Sequence, residues 1–249
     1  MQLALSGRSL GVTHPLDEDI RIAAITGYPW LVIDDEKYRS YLNIPDFDIR
    51  DLKRLFLRTQ PAALDGLHLP DCDPLHAAEV EAIAREARRV GAPVVVLRVT
   101  QPDERIMAFA EIAQRWSTVL ALGPSREVGA ATFATIRRVV RATNHDALGW
   151  YVDAVAIWQA GEALQPEDAA RAVLLAIGDR DQMGEPVLPG EGTAPLVPLL
   201  QPLVAGGYDG LAVLDLVGMD TLDNTEALAG AGLKALREVV TSAGWAVQP

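Results

Sequence analysis

Apolar runs of strand length alternate with amphipathic segments along the whole chain. The clearest run is 93–97 (Pro-Val-Val-Val-Leu), and its continuous apolar character is typical of a strand buried on both faces of a parallel sheet. The runs that predict strands cover residues 3–5, 30–33, 62–69, 93–97, 118–122, 148–152, 171–177 and 211–216.

Between these runs, apolar residues recur at helical spacing. In segment 80–90, for example, they mark one face of a helix, and Gly91 follows as a stop signal. The predicted helices cover residues 17–26, 49–56, 80–90, 106–115, 128–140, 156–161, 196–203 and 225–241. Three prolines between positions 195 and 202 oppose a regular interior for the seventh of these helices.

Eight strands with helices between them predict a (β/α)₈ TIM barrel, an α/β fold. The length of 249 residues suits one such barrel, and we find no linker or low-complexity segment. We therefore expect a single TIM-barrel domain over residues 1–249. A doubly wound open sheet is the alternative that the same alternation allows.

Charge and cysteine content narrow the expected partners and location. The net charge of −12, from 22 basic and 34 acidic residues, opposes binding to a phosphate backbone, so we expect no nucleic-acid partner. No run of 18 apolar residues exists, so no membrane-spanning segment is expected. Cys72 is the only cysteine, and residues 1–11 lack the apolar core of a signal peptide. These features predict a cytoplasmic protein.

In a TIM barrel the reacting groups lie at the carboxyl ends of the strands. The polar residues at or after the predicted strand ends are His68, Asp71, Arg98, Asp153, Asp179, Arg180, Asp181 and Asp215. Several carboxylates at one rim can hold a divalent cation or act as acid and base. The alternative is that these aspartates cap the helices that follow them.

Four segments resemble one known family. They are 25–33 (Ile-Thr-Gly-Tyr-Pro-Trp-Leu-Val-Ile), 148–153 (Leu-Gly-Trp-Tyr-Val-Asp), 189–192 (Pro-Gly-Glu-Gly) and 207–215 (Gly-Tyr-Asp-Gly-Leu-Ala-Val-Leu-Asp). Their order and spacing resemble the xylose isomerase-like barrels, the sugar phosphate isomerases and epimerases, and within these most of all the inosose isomerases. The resemblance implies proton transfer next to a carbonyl, with a divalent metal that polarises the substrate oxygens.

The same resemblance implies a degenerate metal site. The family's four ligands fall on Gly123, Asp153, Ala176 and Asp215 of this chain, so two of the four positions have no side chain that can coordinate. Asp153 and Asp215 are the remaining metal candidates, and they would hold Mg²⁺ or Mn²⁺ weakly or not at all. A shift of the alignment at the fifth strand would bring in Glu127 instead of Gly123.

Two function classes remain open. The first is an isomerase or epimerase of a small polyhydroxylated carbonyl compound, with altered or lost metal dependence. Its candidate catalytic residues are Asp153, Asp179, Asp215 and His68, and its candidate substrate-binding residues are Arg98, Trp158, Arg180 and Glu191. The second class is a barrel without catalysis that binds a small molecule or a protein. The sequence leaves enzymatic activity and oligomeric state open.

Overall fold

The computed structural model describes residues 1–11, 14–46, 48–125, 130–219 and 224–248. Its strands are β1 (Gln2–Ser6), β2 (Trp30–Asp34), β3 (Gln60–Asp71), β4 (Val94–Gln101), β5 (Val119–Pro124), β6 (Leu148–Asp153), β7 (Ala172–Ile177), β8 (Asp179–Arg180), β9 (Pro186–Val187) and β10 (Leu211–Leu214). Its helices are α1 (Leu16–Thr26), α2 (Asp35–Leu42), α3 (Ile49–Leu55), α4 (Ala77–Val90), α5 (Ile106–Arg115), α6 (Phe133–Thr143), α7 (Ala154–Gln159), α8 (Leu196–Ala205) and α9 (Thr225–Ala243).

Eight of the strands close into a parallel barrel in the order β1-β10-β7-β6-β5-β4-β3-β2. The predicted (β/α)₈ fold is confirmed, and the open-sheet alternative is excluded. The register fixes which residues meet at the mouth: Arg98 lies opposite Gly123, and Asp153 lies opposite Ala176. Strands β8 and β9 form a separate antiparallel hairpin directly after β7.

Two clusters of apolar side chains form the core, one outside the barrel wall and one inside it. A large cluster of Leu, Ile, Val and aromatic residues packs the outer faces of the strands against the helices. A smaller cluster draws on all eight barrel strands and fills the barrel interior, mostly with Ala and Val. Tyr151 is the largest member of this inner cluster. A single aromatic ring therefore dominates the interior near the carboxyl end of β6.

Local sequence signals place many helix ends. Asp34 caps α2 by accepting the Lys37 N–H at 3.1 Å, and Gly27 and Gly91 end α1 and α4 in the left-handed conformation. Helix α8 tolerates two of its prolines, because Pro195 precedes it and Pro198 lies in its first turn, where the missing N–H has no intrahelical partner, while Pro202 lies in its interior.

Three elements differ from the sequence prediction. Helix α2 was not predicted, since its sequence Asp-Glu-Lys-Tyr-Arg-Ser-Tyr-Leu is mostly polar. The β8–β9 hairpin was not predicted, since each strand has two residues. Strand β3 extends to Asp71, so His68 lies within the strand. In the described part of the chain, the helices are all too short or too polar to cross a membrane.

Candidate functional site

A polar cavity of about 350 Å³ opens at the carboxyl ends of the barrel strands, where this fold places its chemistry. Strands β4, β5 and β6, helix α7, the β8–β9 hairpin and the residues that directly follow β5, β7 and β10 supply its walls. The lining residues are Arg98, Pro124, Ser125, Tyr151, Asp153, Val155, Ala156, Gln159, Gly178, Asp179, Arg180, Pro186 and Asp215. The mouth thus brings together five of the site residues proposed from sequence: Arg98, Asp153, Asp179, Arg180 and Asp215.

Asp153 and Asp215 are the two half-buried carboxylates of the cavity. Asp153 ends β6, and its Oδ1 accepts the Ala156 N–H at 2.9 Å, which caps α7. Asp215 follows β10, and its Oδ1 accepts the Val217 N–H at 3.1 Å. Both carboxylates therefore have a structural hydrogen bond and also face the cavity.

Asp179 is fully engaged by backbone donors. Its Oδ2 accepts the N–H groups of Gly190 and Gly192, both at 3.0 Å. Its Oδ1 accepts those of Arg180 and Ala194, at 2.8 and 3.1 Å. Asp179 is 2% exposed. The Pro-Gly-Glu-Gly segment thus wraps around this carboxylate, which gives the motif a structural role.

Arg180 presents a guanidinium with neutral partners. Its Nη1 and Nη2 donate to the carbonyl oxygens of Gly184 and Val217, at 3.4 and 3.2 Å. Among the described residues, no carboxylate forms a salt bridge with it. No carboxylate of the described ranges therefore balances its positive charge at the cavity wall.

Arg98, by contrast, is held by a buried carboxylate that sequence reasoning missed. Its Nη1 donates to Asp65 Oδ1, and its Nη2 donates to Asp65 Oδ2 at 3.1 Å. Burial alone would lower the pKa of Arg98, but the negative charge of Asp65 outweighs it and raises the pKa above the ordinary value. Arg8 Nη1 lies 3.8 Å from Asp65 Oδ2, the oxygen that also accepts from Arg98 Nη2. These charges occupy the half of the mouth formed by β1 to β4.

Tyr151 was also missed, although the strand period of two places it on the same face as Asp153. The guanidinium carbon of Arg98 lies 5.0 Å from the centre of its ring. Burial raises the pKa of Tyr151 well above its ordinary value, and the charge of Asp215 adds to this. The phenol is therefore neutral at physiological pH and can donate a hydrogen bond.

Three residues proposed from sequence do not line the cavity. His68 is exposed on β3, where its backbone pairs with that of Arg98. Trp158 is half-buried in α7, and Glu191 is exposed in the loop around Asp179. Glu127, the residue that a shifted alignment would bring in, lies outside the described residues.

The side chains present do not fit a closed metal centre. Within the described ranges, no group of three or more His, Cys, Asp or Glu side chains is placed to hold a metal ion. At position 123, a Cβ would lie 3.2 Å from both Cβ and Cδ1 of Tyr151, closer than the ordinary contact of 3.4 Å or more. Ala176 is buried in the barrel interior. A site with so few donors differs from the three- or four-ligand sites that bind zinc tightly.

No protein-family model and no curated protein matches this sequence. Solved structures match its fold over nearly the whole chain. The IOLI protein with a bound zinc atom has a TM-score of 0.80 and 18% identity, with 98% of each chain covered. A xylose isomerase domain protein from Alicyclobacillus acidocaldarius has a TM-score of 0.78 and 23% identity, with 98% of this chain and 100% of that chain covered.

A third structure, D-psicose 3-epimerase from Clostridium cellulolyticum H10 with D-tagatose, has a TM-score of 0.76 and 15% identity. It covers 96% of this chain, and this chain covers 99% of it. Each identity is too low to carry an activity across, but the three agree on the architecture. The chain has the fold of the xylose isomerase-like TIM barrels.

Proposed function

We propose that this protein is an isomerase or epimerase of a small polyhydroxylated carbonyl compound, with altered or lost dependence on a metal. The observation that carries the proposal is the convergence of Asp153, Asp215, Tyr151 and Arg180 on one cavity at the mouth of the barrel. A volume of about 350 Å³ lies within the range of small-molecule sites.

The lining suits a ligand rich in hydroxyl groups. Carboxylates accept hydrogen bonds from hydroxyls, whereas guanidinium and amide groups donate to them. Asp153 and Asp215 supply acceptors, and Arg180 and Gln159 supply donors. Because Asp65 engages Arg98, we assign the recognition of a ligand oxygen or anionic group to Arg180.

Proton transfer next to a carbonyl needs a base beside the carbon and a donor beside the oxygen. We assign the base to Asp153 or Asp215, because each lines the cavity. Asp179 is a poor choice, since four backbone N–H groups engage its carboxylate. His68, Trp158 and Glu191 keep no role in this proposal, since they lie outside the cavity lining.

Solvent exchange tests the proposed reaction. The protein is incubated with D-psicose, D-tagatose or scyllo-inosose in D₂O, once with EDTA and once with Mn²⁺, and NMR follows deuterium at the carbon next to the carbonyl. D-sorbitol, which has no carbonyl, is the control ligand. We expect exchange with at least one ketone, reduced at least about a hundredfold in Asp153→Asn or Asp215→Asn.

The two substitutions keep the local structure, because asparagine can still accept the hydrogen bonds to Ala156 and Val217 and is a good helix cap. Asp209→Asn is the matched control, since Asp209 is exposed before β10 at the opposite end of the barrel. It should leave exchange unchanged. Absence of exchange with every ketone would contradict the proposed reaction.

A second function, binding without catalysis, is favoured by one observation. Asp153, Asp179 and Asp215 each accept backbone hydrogen bonds, so all three carboxylates have a structural use. Under this alternative, a ketone raises the melting temperature and no deuterium is incorporated.

We further propose that residues 1–249 form one domain. We also propose a cytoplasmic location, which the lone, buried Cys72 supports.

A further inference from the structure

The guanidinium of Arg98 reaches the ring of Tyr151 across an intervening strand. Arg98 belongs to β4 and Tyr151 to β6, and Gly123 of β5 lies opposite Arg98 in the sheet. The guanidinium carbon lies 5.0 Å from the ring centre, within the distance of a cation–π contact. The side chain can cross β5 because position 123 carries no side chain. We call Asp65, Arg98 and Tyr151 the stack.

The stack and Gly123 depend on each other. A Cβ at position 123 would lie 3.2 Å from Tyr151 Cβ and Cδ1, so Tyr151 would have to shift by a few tenths of an ångström to admit even that one atom. Asp65 holds the other side of the guanidinium, and Asp65 and Arg98 are 2% and 3% exposed. The stack and a metal-ligating side chain on β5 therefore compete for the same space.

The stack also places a charge pair at one side of the mouth. Arg98 is buried and lines the cavity, and the Asp65 carboxylate balances its charge. Both Asp65 oxygens accept hydrogen bonds from the guanidinium, so this carboxylate is already engaged and is not offered to a divalent cation in the mouth.

We infer that the Asp65–Arg98–Tyr151 stack takes the place of a metal centre in this barrel, excludes divalent cations from the mouth and presents the Tyr151 hydroxyl to the carbonyl oxygen of the ligand. The part that concerns the ligand rests on the proposed function. The part that concerns the metal stands without it.

The hydroxyl has the chemistry that this role needs. A tyrosine hydroxyl ordinarily carries its proton at neutral pH, and the Arg98 guanidinium beside the ring makes the O–H a stronger donor. A carboxylate takes the proton from carbon, the C–H electron pair forms the C=C bond of an enolate, and the carbonyl π pair moves to the oxygen. Tyr151 donates a hydrogen bond to that oxygen. The second carboxyl group starts the cycle protonated and gives its proton to the opposite face of the carbon, which completes the epimerisation. Proton exchange with solvent then returns both carboxyl groups to their starting states.

Calorimetric titration with Mn²⁺ alone tests the metal part. The variant Gly123→Glu/Ala176→His/Asp215→Glu places coordinating side chains at the two positions that lack them, lengthens the carboxylate at position 215 and keeps Tyr151. We expect it to bind Mn²⁺ less than about threefold more tightly than wild type, because the ring occupies the space. Adding Tyr151→Ala should raise the affinity at least tenfold, and adding Tyr151→Phe, which keeps the ring, should not. Tight binding with Tyr151 in place, or no gain with Tyr151→Ala, overturns the inference.

A smaller substitution tests the same packing without a metal. Gly123→Ala should lower the melting temperature by several degrees in wild type and by less than half as much in the Tyr151→Ala background, where the ring is absent. Equal decreases in melting temperature in the two backgrounds would overturn the inference that the ring and a side chain at position 123 compete for space. This measurement decides whether the Tyr151 ring and a side chain at position 123 compete for space, even if the multiple variants fail to fold.

The ligand part is tested in the exchange assay. Tyr151→Phe keeps the ring and the Arg98 contact, so it should lower kcat for exchange at least tenfold and change KM less than threefold. Unchanged kcat would overturn the role of the hydroxyl. Absence of exchange in the wild type would overturn the proposed function and the ligand part together, while the Mn²⁺ titration still decides the metal part.

Discussion

The carboxylate of Asp179 and the backbone of Gly192 fit each other: Oδ2 accepts the Gly192 N–H at 3.0 Å, and a Cβ on Gly192 would overlap Oδ1. Only glycine lets the loop approach the carboxylate this closely. The Gly-Glu-Gly motif therefore holds a loop against the end of β7, and Glu191, between the two glycines, is exposed.

Asp179→Asn should destabilise the protein by about 2–4 kcal/mol, because an amide NH₂ would replace one of the two oxygens that each accept two N–H groups. Urea unfolding measures this free energy. Glu191→Gln is the control and should change it by less than about 0.5 kcal/mol. Equal, small effects of both substitutions would show that the loop does not depend on Asp179.

Asp65→Asn should cost about 3–5 kcal/mol of stability, because it leaves the buried Arg98 guanidinium without a counter-charge. The double variant Asp65→Leu/Arg98→Met removes both charges and should recover much of that loss. Asp51→Asn, in an exposed pair with Arg54, should cost less than about 1 kcal/mol. A double variant less stable than Asp65→Asn would contradict this reasoning.

Asp19 should make stability depend on pH. Burial raises its pKa from 3.8 to about 7, although Lys37 Nζ lies 2.7 Å away and acts in the opposite direction. A carboxyl with a higher pKa in the folded state holds its proton better when folded, so its contribution to stability is largest at low pH and falls as pH rises from about 4 to 7.

The difference in unfolding free energy between wild type and Asp19→Asn should therefore shift by about 2–4 kcal/mol over that range, at about 1.4 kcal/mol per pKa unit, with wild type losing stability as pH rises. Asp17→Asn, on an exposed position of the same helix, removes one of the weaker charges that raise the pKa of Asp19, so it should change the pH profile much less than Asp19→Asn does. A wild-type profile parallel to that of Asp19→Asn would refute the assignment.

Cys72 should be unreactive in the folded protein. It is fully buried, and burial raises the pKa of its thiol to about 11, so little thiolate exists at pH 8. Ellman's reagent should label it slowly under native conditions and with one equivalent after denaturation in guanidinium. Complete labelling of the native protein within minutes would contradict its burial.

The barrel could be predicted from sequence because apolar runs and glycine stops repeat with a regular period, and both signals are local. Helix α2 was missed because it buries few side chains, and Asp35 and Lys37 are among the polar ones. The hairpin after β7 was missed because two-residue strands leave no periodicity.

The site was predicted only in part, because strand ends can be located from one sequence but contacts between strands cannot. Strand ends locate Asp153 and Asp215, since the fold alone sends them to the mouth. Asp65 and Tyr151 precede the ends of their strands, and their importance comes from Arg98, which lies between them in space and not in sequence. Side-chain pairing across strands is not visible in one sequence. The strand-end argument therefore assigned Arg98 to substrate binding, although Asp65 engages its guanidinium.

A crystal soaked in Mn²⁺ and D-psicose, with diffraction recorded at the manganese edge, tests the central claim most directly. We predict sugar density in the mouth against Asp153, Arg180 and Asp215, the Tyr151 ring stacked on Arg98, and no anomalous peak in the cavity. An anomalous peak between Asp153 and Asp215 would contradict the account, because it would show that a metal binds where the stack is proposed to take its place.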